Sequence, residues 1–492
     1  MLPDTQENIV LFTSDPSRFI PRFRELPPGD SLKIITAVMQ LTENEVLSVL
    51  NQLLRNFSIR YRNISITFEF HFQQIIPLLE ESNIAFNTLS YSRKLLLGAY
   101  FTYESAIESA ALYNPCMVAA PDQTELQPGE QRVILSLCAK GDDNQSAIVF
   151  RTGILDRFNQ LHLEKPGVMP EVGKINQSAE INKQEFLSRL FSLNGHFTKN
   201  EVSDLFEGLD EVFTPNVLKQ KMTEKLLLNP HFNDLVNLAY GVISSEYEIE
   251  FSIDSDLSER VILSEPLHHG IENINFIKFT DTNDEDALYY GILSSGTPLH
   301  YSFQLFTTSN FCRFQVDSIN ISLDGFTHLT LFTRKINNQY ALLGSRADGI
   351  YLAFSENLTE WTGFAKIIAP EHAWELANQA HVGAPLETPQ GWLLLTQATG
   401  PMGQRALGAA LFSLQRTPVL KARAVRPIFQ MNDLDRTGIP GQGISCAGAL
   451  QHMQMIMVPY SPSKHASGCV SFSTDRILSE LRMQPLAANS YA

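Results

Sequence analysis

From about residue 255 almost to its end, the chain is written in short apolar runs broken by Asn, Asp, Gly and Pro. Phe276–Phe279, Leu288–Leu293, Leu329–Phe332, Tyr340–Leu343, Trp392–Leu395 and Ile456–Val458 are examples. Runs of this length with turn residues between them predict strands, since helices usually need at least about ten residues. No window approaches the roughly 18 uninterrupted apolar residues of a membrane-spanning helix. So long a series of strands restricts the second half to a large all-β architecture, either a pair of β-sandwiches or a propeller.

A weak repeat favours the propeller. Ser309-Asn310-Phe311 with Phe314, Ser355-Glu356-Asn357-Leu358 with Trp361, and Ser473-Thr474-Asp475-Arg476-Ile477 each set a small hydroxyl and an Asn or Asp before apolar residues. Their spacing suits one or two units of a propeller with roughly 40–60 residues per blade. Arg132–Leu137 and Ser146–Arg151, separated by Gly141-Asp142-Asp143-Asn144, read as two further strands and a turn.

The period changes elsewhere. Between about 30 and 112, Leu32, Ile35, Val38, Met39 and Leu41, then Leu47, Leu50, Leu53 and Leu54, recur at helical spacing. Thr42-Glu43-Asn44-Glu45 carries the pattern of a helix-starting capping box. Helical spacing returns from about 180 to 245, with Phe186, Leu187, Leu190, Phe191, Leu205, Phe206 and Leu209. A connection between blades tolerates such an insertion, because loop-closure cost grows only logarithmically with length.

The fold predicted is therefore mainly β with α-helical additions. It comprises a five-bladed β-propeller, an N-terminal helical region at 1–104, a first blade at 105–160, a helical insertion at 161–254, the remaining blades at 255–485 and a tail at 486–492.

The chain has 492 residues, with 53 acidic against 37 basic side chains and a formal net charge of −16. Such an excess disfavours nucleic acid as partner, because affinity for a phosphate backbone comes largely from Lys and Arg. The first residues, Met1-Leu2-Pro3-Asp4, offer neither the basic nor the apolar region of a secretory signal, so the expected location is cytoplasmic. Cys116, Cys138, Cys312, Cys446 and Cys469 show no zinc-like spacing and read as reduced core thiols. His268-His269 and His381 have no third ligand at a fixed spacing, and no metal is expected.

Several segments resemble glycoside hydrolase family 130. The first is Ala110-Ala111-Leu112-Tyr113-Asn114-Pro115, followed by Pro121-Asp122-Gln123, Ser136-Leu137 and Phe150-Arg151-Thr152-Gly153. Gly270-Ile271-Glu272-Asn273, Leu331 to Ile336, Tyr340 to Leu343 with Arg346, and Ser355 to Trp361 extend the likeness. So do Gly383 to Thr388, Gly391 to Thr396 and Thr399 to Met402. The resemblance covers about 100–155 and 265–480. It implies a five-bladed propeller that cleaves β-mannosides by an inverting mechanism, with inorganic phosphate or water as nucleophile and no cofactor.

Inverting transfer needs a carboxylic acid to protonate the leaving oxygen, and a phosphorylase also needs cations around a dianion. The family's Glu-Asp-x-Arg motif, whose Asp is the proton donor, reads Glu272-Asn273-Ile274-Asn275 here. An amide has no titratable proton near neutral pH. Glu272 and Asn273 thus stand at the catalytic position, with Asp348 as another candidate acid. The resemblance further implies Asn114, Asp122, Arg334, Lys335, Arg346, Gln397 and Lys464 as binders of substrate or phosphate. Gln397 stands where the family tends to place His, and Lys464 where it places Asp. The partner expected is a β-mannoside or related oligosaccharide, and a homo-oligomer is compatible with the reading. The alternative is a catalytically inactive propeller that binds carbohydrate or protein.

Overall fold

A computed structural model describes residues 12–483, apart from 143–144, 178–180, much of 193–246, 265–269, 281–287, 298–299, 323, 416, 431–443 and 464–465. Expectations for His268-His269 and the tail at 486–492 lie outside the described residues.

Strands are the commonest regular structure of the described chain and form five sheets of four or more strands, each built on an antiparallel meander. The first runs Ala111–Ala119, Gln131–Lys140, Ser146–Leu155 and Arg260–Leu263. The second runs Ile271–Phe279, Leu288–Thr297, His300–Thr308 and Arg313–Ser318. The third is His328–Leu331, Tyr340–Arg346, Gly349–Ser355 and Ala365–Ile368. The fourth contains Asn378–His381, Gly391–Thr399, Arg405–Phe412 and Leu420–Ala424. The fifth joins Leu450–His452, Met455–Tyr460 and Ala466–Ser473 to Phe12–Thr13 from the other end of the sequence.

Strand periodicity explains how these sheets stack, because alternate residues point to opposite faces and both faces are apolar. Ile274, Phe276 and Leu293 of the second sheet pack with Ile134, Ile148 and Phe150 of the first. Ile277, Ile292 and Leu305, on the other parity, pack with Leu329, Leu331 and Leu342 of the third. Leu343 and Ile350 meet Trp392 and Leu394 of the fourth. Leu393 and Leu395 meet Ile456 and Val458 of the fifth. Met457 and Cys469 return to Leu112 and Met117 of the first.

The helical region is formed by α1 (Pro28–Gln40), α2 (Glu43–Phe57), α3 (Ile64–Glu81) and α4 (Tyr91–Tyr100). The capping box at α2 is present: Thr42 N–H donates to Glu45 Oε2 at 2.7 Å, and Glu45 N–H donates to Thr42 Oγ1 at 3.4 Å. Gly98 lets α4 cross α3, since a Cβ there would stand 1.8 Å from the Phe68 carbonyl oxygen. The helical period expected to reach 112 stops at Tyr100. Thr102 donates its hydroxyl to the Gly98 carbonyl, and Thr102–Ala106 pairs as a strand with Phe19–Phe23.

The stretch 161–254 also contributes strands to the sheets. Tyr247–Glu250 alternates buried Tyr247 and Ile249 with exposed Glu248, and lies between Arg313–Ser318 and Lys174–Gln177. Four residues are too few for that alternation to stand out beside helical spacing. The Ser-Asn repeat has two outcomes. Asn310 and Asn357 turn the chain by accepting backbone N–H bonds from Cys312 and Arg313, and from Thr359 and Glu360. Ser473 instead precedes the helix Thr474–Glu480. All five cysteines are free, and four are buried. Among the described residues no helix is long and apolar enough to cross a membrane.

Two buried polar contacts give measurable consequences. Glu108, fully buried, accepts from Arg18 at 2.8 Å and from Arg151 at 2.5 Å, joining the N-terminal segment to the first sheet. Burial lowers the pKa of Arg151 and the Glu108 charge opposes that effect. Glu108→Gln removes the compensating charge and should cost about 3 kcal/mol or more in urea denaturation. Between the third and fourth sheets, Ser345 Oγ lies 2.6 Å from His381 Nδ1. Burial, reinforced by His328, lowers the His381 pKa to about 3. The unfolded chain takes up that proton near pH 6.5, so stability is full above this value and falls on acidification. His381 alone should contribute a loss of about 2 kcal/mol by pH 5. His381→Gln should flatten the slope of stability against pH between 7 and 5.

Candidate functional site

The first strands of the first three sheets run side by side in one direction. Tyr113 Oη donates to the Ile271 carbonyl at 3.0 Å, Asn114 Nδ2 to the Glu272 carbonyl at 2.8 Å, and Cys116 Sγ to the Phe276 carbonyl at 3.4 Å. Further along, Asn275 Nδ2 donates to the Leu329 carbonyl at 2.7 Å, and Thr280 N–H to the Thr333 carbonyl at 2.8 Å. His328 pairs with Ser345, which touches His381. Cys116 bridges Gly448 in parallel. The starts of these strands therefore collect at one end, and their ends at the other.

Glu272 and Asn114 meet at the collected starts. Each belongs to an interruption of its ladder. Ile271 pairs with Ser295 and Asn273 with Ser294, leaving Glu272 as an extra residue. Tyr113 pairs with Cys138 and Cys116 with Ser136, leaving Asn114 and Pro115 opposite Leu137 alone. Asn114 has φ +51°, a left-handed conformation that Asn tolerates, and Pro115 has no amide hydrogen to leave unpaired.

Glu272 is exposed, whereas Asn273 is buried. They serve different seams. The Glu272 charge contributes to the raised pKa values of Tyr113 and Cys138 in the first sheet, where burial is the larger cause. Asn273, opposite Ser294, has the parity of Ile292, which packs toward the third sheet. Its Oδ1 has no hydrogen-bond partner among the described residues.

Arg346 and Asp348 lie at the same end, in the hairpin that joins Tyr340–Arg346 to Gly349–Ser355. The Arg346 guanidinium stands 5.4 Å from the Tyr351 ring centre and 5.9 Å from that of Phe326. Asp348 does not suit the role of acid. Its carboxylate accepts from Lys366 at 2.5 Å and from Tyr351 at 2.7 Å, with Arg346 at 3.8 Å. Lys366 and then Tyr351 lower its pKa, so it holds no proton near neutral pH. Gln397 is half-buried on the fourth sheet opposite Ala380, with Oε1 unpartnered among the described residues.

Three expected binders stand elsewhere. Thr333 bonds to Thr280 just beyond the end of Ile271–Phe279, which places the following Arg334 and Lys335 far from Glu272. At about 3.3 Å per residue, the nine residues Ile271–Phe279 separate the two ends by roughly 25 Å. Arg334 makes a bidentate pair with Glu387 at 2.7 and 2.8 Å and stacks on Trp392 at 4.9 Å. Lys335 Nζ is 4.5 Å from the Tyr340 ring centre. Asp122, beyond the end of Ala111–Ala119, accepts from the Thr124 N–H and hydroxyl at 2.8 and 2.7 Å as a turn residue. Lys464 lies outside the described residues.

Sequence reasoning did not find Tyr113 or Lys366 as neighbours of the site. Tyr113 adjoins the quoted Asn114, but nothing local signals a hydrogen bond to Ile271. Lys366 reaches Asp348 only through sheet pairing. Among the described residues no three His, Cys, Asp or Glu side chains form a group suited to a metal.

No family model matches the sequence. The chain is 33% identical over 125 residues to a 1,2-β-oligomannan phosphorylase of a Thermoanaerobacter species, covering 25% of this chain and 42% of that protein. It is 22% identical over 223 residues to a β-1,2-mannobiose phosphorylase of Listeria innocua, covering 44% of this chain and 61% of that protein. The chain thus spans less than two thirds of either relative's length. A solved structure of the Listeria innocua β-1,2-mannobiose phosphorylase with β-1,2-mannobiose aligns with TM-score 0.41 and 17% identity, covering 76% of this chain and 92% of that one. Over part of its length the chain is thus similar in sequence to two proteins named as phosphorylases of β-1,2-linked mannosides.

Proposed function

We propose that the chain is a glycoside phosphorylase or hydrolase acting on β-linked mannosides with inversion, and that its five sheets are the blades of a five-bladed β-propeller. The sequence of seams, first to fifth and back to first, supports the propeller. The division into a helical region at 1–104, a first blade at 105–160, an insertion at 161–254 and the remaining blades at 255–485 belongs to the same proposal. So does a cytoplasmic location.

The observation that carries the activity is the exposed Glu272 carboxylate at the collected starts of the inner strands, the end that also holds Arg346. Glu272 protonates the leaving oxygen. Arg346 holds phosphate or orients water on the opposite face of the sugar ring, and the Asn273 amide bonds a sugar hydroxyl. No cofactor takes part; phosphate is the co-substrate of a phosphorylase, and water takes its place in a hydrolase. β-1,2-linked mannooligosaccharides are the substrates to try first, because both sequence relatives are named for that linkage.

Asn273 supports a second reading, a propeller that binds carbohydrate or protein without turnover. It replaces the acid that the family motif carries, and its buried Oδ1 finds no partner among the described residues.

Incubation with β-1,2-mannobiose and phosphate should yield mannose 1-phosphate, and without phosphate any hydrolase activity should yield mannose. Glu272→Gln should lower kcat by about 10²–10⁴-fold, as expected for loss of a general acid. Unchanged turnover in that variant would place the acid elsewhere. Sugar binding without turnover by the unmodified protein would select the second reading.

A further inference from the structure

We infer that Tyr113 and Asn114 are positioning residues which fix the ladder interruption at Glu272, and that Asn114 acts on the reaction through this backbone rather than as a sugar or phosphate ligand. The inference rests on the reading of Glu272 as proton donor. Its structural part can be tested without any turnover.

An extra residue in a ladder has backbone groups that the partner strand does not satisfy. Here Ile271 and Asn273 take consecutive partners, Ser295 and Ser294, and Glu272 is passed over. The neighbouring sheet supplies the missing donor: Asn114 Nδ2 lies 2.8 Å from the Glu272 carbonyl oxygen. Tyr113 Oη secures the preceding Ile271 carbonyl at 3.0 Å. Two adjacent carbonyls are therefore held by two adjacent side chains across the seam.

The donors are themselves fixed. Asn114 has left-handed backbone, and the carbonyl of the following Pro115 accepts from Ala447 N–H of the segment leading into the fifth sheet at 3.0 Å. The phenol of Tyr113 is half-buried beside Glu272, and burial together with the nearby Glu272 charge raises its pKa, keeping it a neutral donor. An Asn amide spent on a backbone carbonyl is aimed at the protein. Its effect on chemistry is to set where the Glu272 side chain leaves the strand, and a displacement of about 1 Å can reduce rate about 100-fold.

Asn114→Gly keeps the left-handed backbone but removes the amide, Asn114→Asp replaces the donor with an acceptor, and Tyr113→Phe removes the hydroxyl. In all three, amide hydrogen exchange over 270–274 should rise about tenfold or more, while exchange in Gln131–Lys140 stays as in the unmodified protein. With β-1,2-mannobiose, Asn114→Gly should lower kcat about 10- to 100-fold and leave KM within about twofold. Unchanged exchange over 270–274 would overturn the inference. So would a tenfold rise in KM at constant kcat, which marks a ligand. If the unmodified protein turns over no mannoside, the proposed activity fails, whereas raised exchange still supports the clamp and unchanged exchange still overturns it.

Discussion

Every one of the five sheets is covered on both faces, and this double burial is the constraint on which the rest of the structure depends. A strand in such a sheet has no solvent side, so its residues must be apolar on both parities. Polar chemistry is pushed to the strand starts, strand ends and connecting turns. The first strands of the first three sheets then matter most, because their parallel course brings starts from different sheets together. Glu272 and Asn114 are far apart in sequence, yet they share a hydrogen bond because both stand near such starts.

The same constraint separates two kinds of basic residue that look alike in sequence. Arg334 follows an inner strand and Arg346 closes a hairpin on the opposite side. Their distance along the chain is short, but strand direction sends them to different ends. Arg334 is occupied by Glu387 and Trp392 in a bidentate, stacked arrangement that anchors one sheet to the next. Arg346 keeps a weaker 3.8 Å contact with Asp348, whose stronger partner is Lys366.

Much of the β-structure was legible in sequence because its runs are continuously apolar and sharply bounded by turn residues. Ser146–Arg151 and Trp392–Leu395 fall inside observed strands, and the Thr42–Glu45 capping box forms as its spacing requires. Legibility failed where partners supply the structure. Thr102–Ala106 and Tyr247–Glu250 are too short to show their own period and are strands because of what lies beside them. The site was legible as a set of residue types but not as a place. Glu272, Asn273 and Asn114 come together, while Asp122 and Arg334 follow turns to the far end. The interruptions at Glu272 and Asn114 carry no local signature beyond an Asn-Pro pair.

Phe12–Thr13 completes the fifth sheet beside Ala466–Ser473, so that sheet draws its strands from opposite extremes of the described sequence. During synthesis this strand has no partner until Ala466–Ser473 has been made. The seam joining the fifth sheet to the first must wait as well, and with it the Pro115–Ala447 contact behind Asn114. Contacts of such long sequence separation form slowly because chain entropy is lost before they can compensate it. The backbone just after Asn114 therefore gains its last hydrogen bond only once Ala447 has been made.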